Sequence, residues 1–276
     1  MGYIINPYTS IAESGSGFVA GGLTDLTTSE TYQEATSVWS TGETLSFGMS
    51  GCSSGGNAVD AFTSCGSTAS GDIASTQEFN GGSWSNGGDA TLARNSLGGG
   101  GNSSDAINIL GYAGGASNRT GEYNGTSWSI GGNGILARWA LAGNGNSSDA
   151  MSIGGSTGSD VANCEEYNGT SWSTGGAIPA AKRGLSAGGN SVSAIEMGGT
   201  TVNTAATYNG TSWSAIATLT TARRDCAGGG TVTNALVFGG GNPSALSSTE
   251  KWDGSSWSGS GNMNTARKTP AGDYNP

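Results

Sequence analysis

The chain has 276 residues, of which 52 are glycine and none is histidine, and only 11% are charged; ordinary usage is roughly 7% glycine and ~25% charged residues. Without histidine, His-ligated zinc, haem and copper-radical centres are excluded, as is any Ser-His, Cys-His or Asp-His catalytic arrangement. Ten basic against twenty acidic residues leave a net charge of −10, which argues against nucleic acid as a partner.

The glycines follow no strict three-residue period, so collagen is excluded. The 34% hydrophobic content, with eight Trp and eight Tyr, argues against disorder. Interior glycine costs a helix roughly 1 kcal/mol relative to alanine, so the expectation is one large all-β domain. No segment approaches the ~20 apolar residues of a membrane span, and no membrane insertion is expected.

In chain order, residues 1–16 stand outside any pattern. The start, MGYIINPYTS, has neither the basic nor the apolar region of a secretory signal. Tyr3, Ile4, Ile5 and Tyr8 make this arm apolar and are candidate docking residues for a neighbouring protein. From Phe18–Gly22 (FVAGG) onward the chain repeats. The phrase YNGTSWS occurs at Tyr123–Ser129, Tyr167–Ser173 and Tyr208–Ser214, with FNGGSWS at Phe79–Ser85 and WDGSSWS at Trp252–Ser258. A looser copy has Tyr32 and Trp39. The closing tryptophans Trp39, Trp84, Trp128, Trp172, Trp213 and Trp257 are spaced 45, 44, 44, 41 and 44 apart.

Other columns keep phase with them. Ten residues after each Trp stand Met49, Arg94, Arg138, Lys182, Arg223 and Arg267. Three further on is a slot holding Cys52, Leu97, Leu141, Leu185, Cys226 and Pro270. A glycine patch follows, then a β-prone stretch ending in Gly-Gly, as in Ala150–Gly155, with Cys65-Gly66 and Leu110-Gly111 as variants. Each unit therefore reads as four strands: the first carries the basic residue and the slot, the second ends in Gly-Gly, the third carries Tyr and the fourth Trp. The Asn-Gly or Asp-Gly between the last two predicts a type I′ hairpin. Four strands in about 44 residues is the pattern of a propeller blade.

This succession of basic residue, glycine patch, Gly-Gly, Tyr and Trp resembles the Kelch repeat over about residues 17–273. The resemblance implies a six-bladed β-propeller of four-stranded blades over 17–276, with a C-terminal strand around Arg267–Asp273 closing blade one. Its YNGTSW-type copies resemble Kelch-like virion proteins of bacteriophages, marine ones especially. That likeness implies a non-enzymatic capsid decoration, tail or fibre component on the virion exterior, made in the host cytoplasm. Its partners would be other virion proteins or further copies of the chain, with no cofactor. The alternative is a lectin-like propeller binding a host-surface glycan. Galactose-oxidase-like enzymes share the Kelch propeller, but their copper centre needs histidines absent here.

The recurring aromatics read as anchors between blades, and Gly-Gly as close packing of backbone against aromatic rings. The basic column is expected to pair with Glu78, Glu122, Glu166 or Glu250 beside the third-strand aromatic. Cys52 and Cys226 read as core thiols, and a Cys52–Cys65 bridge is open but unforced. The six Asn-x-Ser/Thr sites, at Asn102, Asn118, Asn124, Asn146, Asn168 and Asn209, read as turn chemistry, as does the GNSSDA phrase. Glu165 and Glu166 are adjacent and point to opposite faces, unlike a glycosidase pair. The second-to-third-strand loops differ most between repeats, so binding is expected on the face formed by these loops and the blade-to-blade connections. The candidate ligand residues are Trp139 and Tyr112, aromatics that break the repeat, with Asn118 and Arg119 beside Tyr112.

Overall fold

Short β-prone runs punctuated by Asn, Gly and Ser produce 26 short strands among the described residues. The computed structural model describes residues 15–23, 26–200 and 202–276, and the arm residues Tyr3, Ile4, Ile5 and Tyr8 lie outside that range. Blade one holds β1 (Ser16–Ala20), β2 (Ser29–Gln33) and β3 (Val38–Thr41). Blade two holds β4 (Ser53–Gly56) and β5 (Ala61–Ser64), a small hairpin of β6 (Ser67–Thr68) and β7 (Gly71–Asp72), then β8 (Thr76–Phe79) and β9 (Trp84–Asn86). Blade three holds β10 (Gly98–Gly101), β11 (Ala106–Tyr112), β12 (Ala116–Tyr123) and β13 (Trp128–Ile130). Blade four holds β14 (Ala142–Gly145), β15 (Ala150–Ile153), β16 (Cys164–Tyr167) and β17 (Trp172–Thr174). Blade five holds β18 (Leu185–Asn190), β19 (Ser193–Gly198), β20 (Ala205–Tyr208) and β21 (Trp213–Ala215). Blade six holds β22 (Ala227–Gly230), β23 (Ala235–Phe238), β24 (Thr249–Trp252) and β25 (Trp257–Ser260). Last, β26 (Ala271–Asn275) pairs antiparallel with β1, Phe18 opposite Asp273, and becomes the inner strand of blade one. The six antiparallel sheets form a closed ring, as the terminal copies predicted.

The inner strands meet around the axis, where neighbouring backbones touch. A methyl on Gly143 would lie 2.5 Å from the Gly99 nitrogen, and one on Gly188 just 2.5 Å from Gly230. The glycine patch is thus the means by which six strands crowd one axis. The basic column lies upstream of these strands, in the blade-to-blade connection, rather than within the strand, and the apolar slot directly precedes the strand in every blade but five, where Leu185 opens β18.

Two residues after each basic position comes a second ring. The N–H of Ser96 donates to Gly51, Ala140 to Ser96, Gly184 to Ala140, Asp225 to Gly184, Thr269 to Asp225 and Gly51 to Thr269, at 2.7–3.2 Å. All six residues are left-handed, with φ of 52–64°. The chain of bonds has no free end.

The Gly-Gly pair serves a similar purpose. Both of its positions are left-handed, so Cys65 (φ 61°) and Leu110 (φ 53°) are strained substitutes. Its second N–H donates to the next blade's basic-column carbonyl, as Gly155 does to Lys182 at 2.9 Å. It packs on backbone carbonyls such as that of Trp139, not on aromatic rings. The third-to-fourth-strand turns also differ from expectation. They are four-residue loops in which Asn124 Oδ1 accepts the N–H groups of Thr126 and Ser127, and only Gly125 has positive φ. A type I′ turn would need positive φ at two positions.

The aromatic columns bind blade to blade. All six repeat tryptophans are buried. The indole N–H of Trp128 donates to Thr76 of the preceding blade at 2.8 Å, that of Trp172 to Thr120 at 2.9 Å, and that of Trp39 to Thr249 at 3.0 Å. Tyr123, Tyr167 and Tyr208 donate to Glu78, Glu122 and Glu166 of the preceding blade. Burial, then the adjacent carboxylate, pushes Tyr123 and Tyr167 up to about 12.

Those three glutamates are therefore unavailable to the basic column, which corrects the pairing expected from sequence. Arg138 pairs with Glu165 at 2.9 Å, Arg223 with Glu250 at 2.9 Å, Arg267 with Glu30 at 3.2 Å, and Lys182 with Glu196 at 2.6 Å. The physical reason is strand alternation. The acid one residue before the aromatic faces the next blade's tyrosine, whereas the acid two before it faces the basic residue. Glu250 stands two before Trp252, so that expected pair is present. All four cysteines are free, so Cys52 and Cys65 are not bridged. Cys226 is only partly buried, and burial pushes the Cys52 thiol up to about 12.

Candidate functional site

Alternating strand direction gives the disc two faces. One carries the first-to-second and third-to-fourth-strand turns, which nearly repeat in sequence. Here Asp60 accepts the N–H of Ser103, Asp105 that of Ser147, and Asp149 that of Ser191, each from the following blade at 3.1–3.2 Å. The GNSSDA phrase is thus a latch between blades as well as a turn. Of the six Asn-x-Ser/Thr sites, Asn102, Asn124, Asn146, Asn168 and Asn209 use Oδ1 to cap their own turns.

The other face carries the second-to-third-strand loops and the blade-to-blade connections. The position after the basic column runs round it as Ser50, Asn95, Trp139, Arg183, Arg224 and Lys268. Backbone bridges pin these residues to the facing loops, Asn95 to Tyr112 and Trp139 to Ser156. Tyr112, 38% exposed, meets Trp139 edge-on with ring centroids 6.1 Å apart. The Arg183 guanidinium lies 5.4 Å from the Trp139 ring centre and 3.2 Å from Asp160. Arg224 and Lys268 flank Asp225 at 3.6 and 3.9 Å. A band of aromatic and cationic groups therefore crosses blades three, four, five, six and one.

Asn118 and Arg119 sit elsewhere. They line a hollow of about 590 Å³ under the long β11–β12 hairpin, with Thr91, Leu92, Thr120 and Ile130. Asn118 Nδ2 donates to Gly134 at 3.1 Å. The structure thus brings Tyr112 and Trp139 together but separates them from Asn118 and Arg119. The hairpin explains the split: β11 and β12 extend through most of the expected loop, so residues on opposite sides of it face different spaces.

A second cavity, about 460 Å³, runs along the axis. Asp273 and Asn144 hold the same inner-strand position in opposite blades, where the other four blades have Gly55, Gly100, Gly188 and Gly229. Asp273 accepts the N–H of Gly56 at 3.3 Å, and Asn144 donates to Gly188 at 2.9 Å. Enclosure by backbone pushes Asp273 up to about 7.

Sequence reasoning placed the blade-to-blade connections on the loop face but did not name Arg183, Arg224 and Lys268 there as candidates. Their signal was their column, one step beyond the basic one. It also missed Asp273, whose signal was an acid in a glycine column. No protein-family model and no curated protein matches this chain. The six-bladed architecture suits binding and protein interaction, and among the described residues no helix is long and apolar enough to cross a membrane.

Proposed function

We propose that this chain is a non-enzymatic interaction propeller of a virion, a capsid decoration, tail or fibre component on the particle exterior. The observation that carries the reading is the division between the two faces. Tyr112 and Trp139, which break the repeat, and Arg183, Arg224 and Lys268, from a column that varies between repeats, gather on the loop face, where a rigid scaffold presents variable groups for recognition. The other face repeats Asn, Ser, Thr and Gly turns. The buried acids Glu30, Glu165, Glu196 and Glu250 are committed to ion pairs, and the half-buried Glu78, Glu122 and Glu166 accept from tyrosines. The likeness of the YNGTSW copies to Kelch-like bacteriophage proteins supplies the virion context.

Mass spectrometry of purified particles tests the reading. Detection among the capsid and tail proteins is the expected result, and absence from particles would overturn it. Within that reading the apolar arm docks on a neighbouring protein, so deleting residues 1–14 should release the propeller from particles while leaving it folded. The lectin-like alternative leans on the partly exposed Tyr112–Trp139 pair. Trp139→Ala with unchanged glycan-array binding would remove its basis.

A further inference from the structure

Three blades share one buried device. In blade four, Glu165 accepts the consecutive N–H groups of Ile135 and Leu136 at 2.7 and 3.1 Å while it pairs with Arg138. Blade six repeats this with Glu250, Thr220, Thr221 and Arg223, and blade one with Glu30, Asn264, Thr265 and Arg267. Each time two adjacent amides and one guanidinium close on a single carboxylate.

The remaining blades differ informatively. In blade two every charge is gone together. Gln77 replaces the acid and Met49 the base, and Gln77 Oε1 accepts the Ser46 N–H at 2.7 Å. In blade five Ala206 replaces the acid, Pro179 removes one amide donor, and Lys182 turns to Glu196. Blade three alone keeps the donors and lacks the acceptor. Gly121 stands at the acid position, yet Arg94 is 98% buried in the equivalent place. Arg94 makes the usual carbonyl contacts, to Arg119 at 2.6 Å and Asn108 at 3.2 Å, but among the described residues it has no carboxylate partner. No acceptor among the described residues takes the N–H of Thr91 or Leu92. Burial lowers the Arg94 pKa, the neighbouring Cys65 thiol opposes that shift, and the Arg119 charge adds to it, so Arg94 shares this corner with a thiol and a second guanidinium rather than with an acid. A hollow of about 590 Å³ is lined by Thr91, Leu92, Thr120 and Arg119; Gly121 follows Thr120 and Arg94 donates to the Arg119 carbonyl, so both adjoin this lining without forming part of it.

We propose that blade three binds a small carboxylate, which enters the hollow beside Gly121 and accepts hydrogen bonds from the Thr91 and Leu92 amides and the Arg94 guanidinium. Two consecutive amides match the two oxygens of a planar carboxylate, as the chain's own glutamates do in three other blades. Leu92 and Ile130 in the lining, together with Asn118 and Arg119, favour a ligand with a short body that is partly apolar and partly polar. The site is independent of any assembly role.

The full chain, labelled with ¹⁵N, can be titrated with sodium acetate against sodium chloride at equal ionic strength. Saturable shifts of the Thr91 and Leu92 amides with acetate alone are expected. Gly121→Glu supplies the missing carboxylate from within. A Cβ there lies 3.2 Å from Trp128 and 3.7 Å from Arg94, at a non-positive φ. That variant should weaken acetate binding by at least about tenfold, the scale of one charge-assisted contact, and shift the same two amides without ligand. Identical responses to acetate and chloride, or undiminished acetate binding in folded Gly121→Glu, would overturn the proposal. Should Gly121→Glu not fold, Arg94→Met serves in its place, because blade two carries methionine at that position. Retained acetate binding there would be equally fatal.

Discussion

The indole of each repeat-closing Trp faces, across a blade boundary, the residue three before the preceding blade's third-strand aromatic. Where that residue is Thr76, Thr120 or Thr249, the N–H finds a hydroxyl. Trp257 faces the boundary position held by Ala205 and has no partner. A buried donor without an acceptor costs about 1–3 kcal/mol. Ala205→Thr should therefore raise stability by about 1 kcal/mol in urea denaturation, with no change in the slope of the transition. Asp273 offers a pH-dependent test. Its pKa rises from an ordinary 3.8 to about 7 on folding, with burial the main cause. Between those values the folded chain holds a proton that the unfolded chain releases, so this residue's contribution to stability falls as pH rises through the window. Asp273→Asn should match the parent near pH 4 and exceed it above pH 7, as measured by denaturation midpoints across pH.

At the scale of the blade, the buried ion pair is the element that most constrains substitution. Breaking such a pair by removing one partner costs about 3–5 kcal/mol, because the other charge is left buried and alone. Arg138→Met should cost that amount. Adding Glu165→Gln should recover most of it, since Met49 and Gln77 already form the neutral version in blade two. A double-mutant cycle on chemical denaturation checks the coupling. The blade was also where sequence was easiest to read. Six closing Trp residues, six third-strand aromatics and five basic residues in phase revealed the repeat, the strand count and the closing strand. The partner of the basic residue was harder, because a one-residue step along a strand changes its face, and Glu165 and Glu166 are one step apart. Tyr112 and Trp139 looked like one site with Asn118 and Arg119 because they are near in sequence, but the β11–β12 hairpin divides them. The vacancy at Gly121 had no signal until the role of Glu165 was visible. One glycine among 52 means little until its column is known to hold an acid.

The whole molecule is closed by contacts between residues far apart in sequence. Blade one pairs β1 with β26, so its inner strand comes from the opposite end of the described chain. Without that strand, β1 and the β22 and β4 flanks on either side of it lose their neighbour. Removal of residues 271–276 should thus destabilise the entire ring rather than fray one blade, and expose apolar surface that binds a reporter dye. Such long-range closure also predicts slow folding, since entropy is lost before the last contacts form. Half of the ten basic residues, Arg94, Arg138, Lys182, Arg223 and Arg267, are buried, which leaves the surface strongly acidic.

The circle of left-handed residues has a kinetic meaning. An ordinary strand frays from its ends, and its amides exchange with solvent at graded rates. The loop through Gly51, Ser96, Ala140, Gly184, Asp225 and Thr269 has no end from which to fray. Opening any one of its bonds requires two blades to part. These six amides, one from each blade, should exchange with deuterium at a common slow rate set by opening of the whole ring. They would report propeller integrity as a single clock, readable in one spectrum.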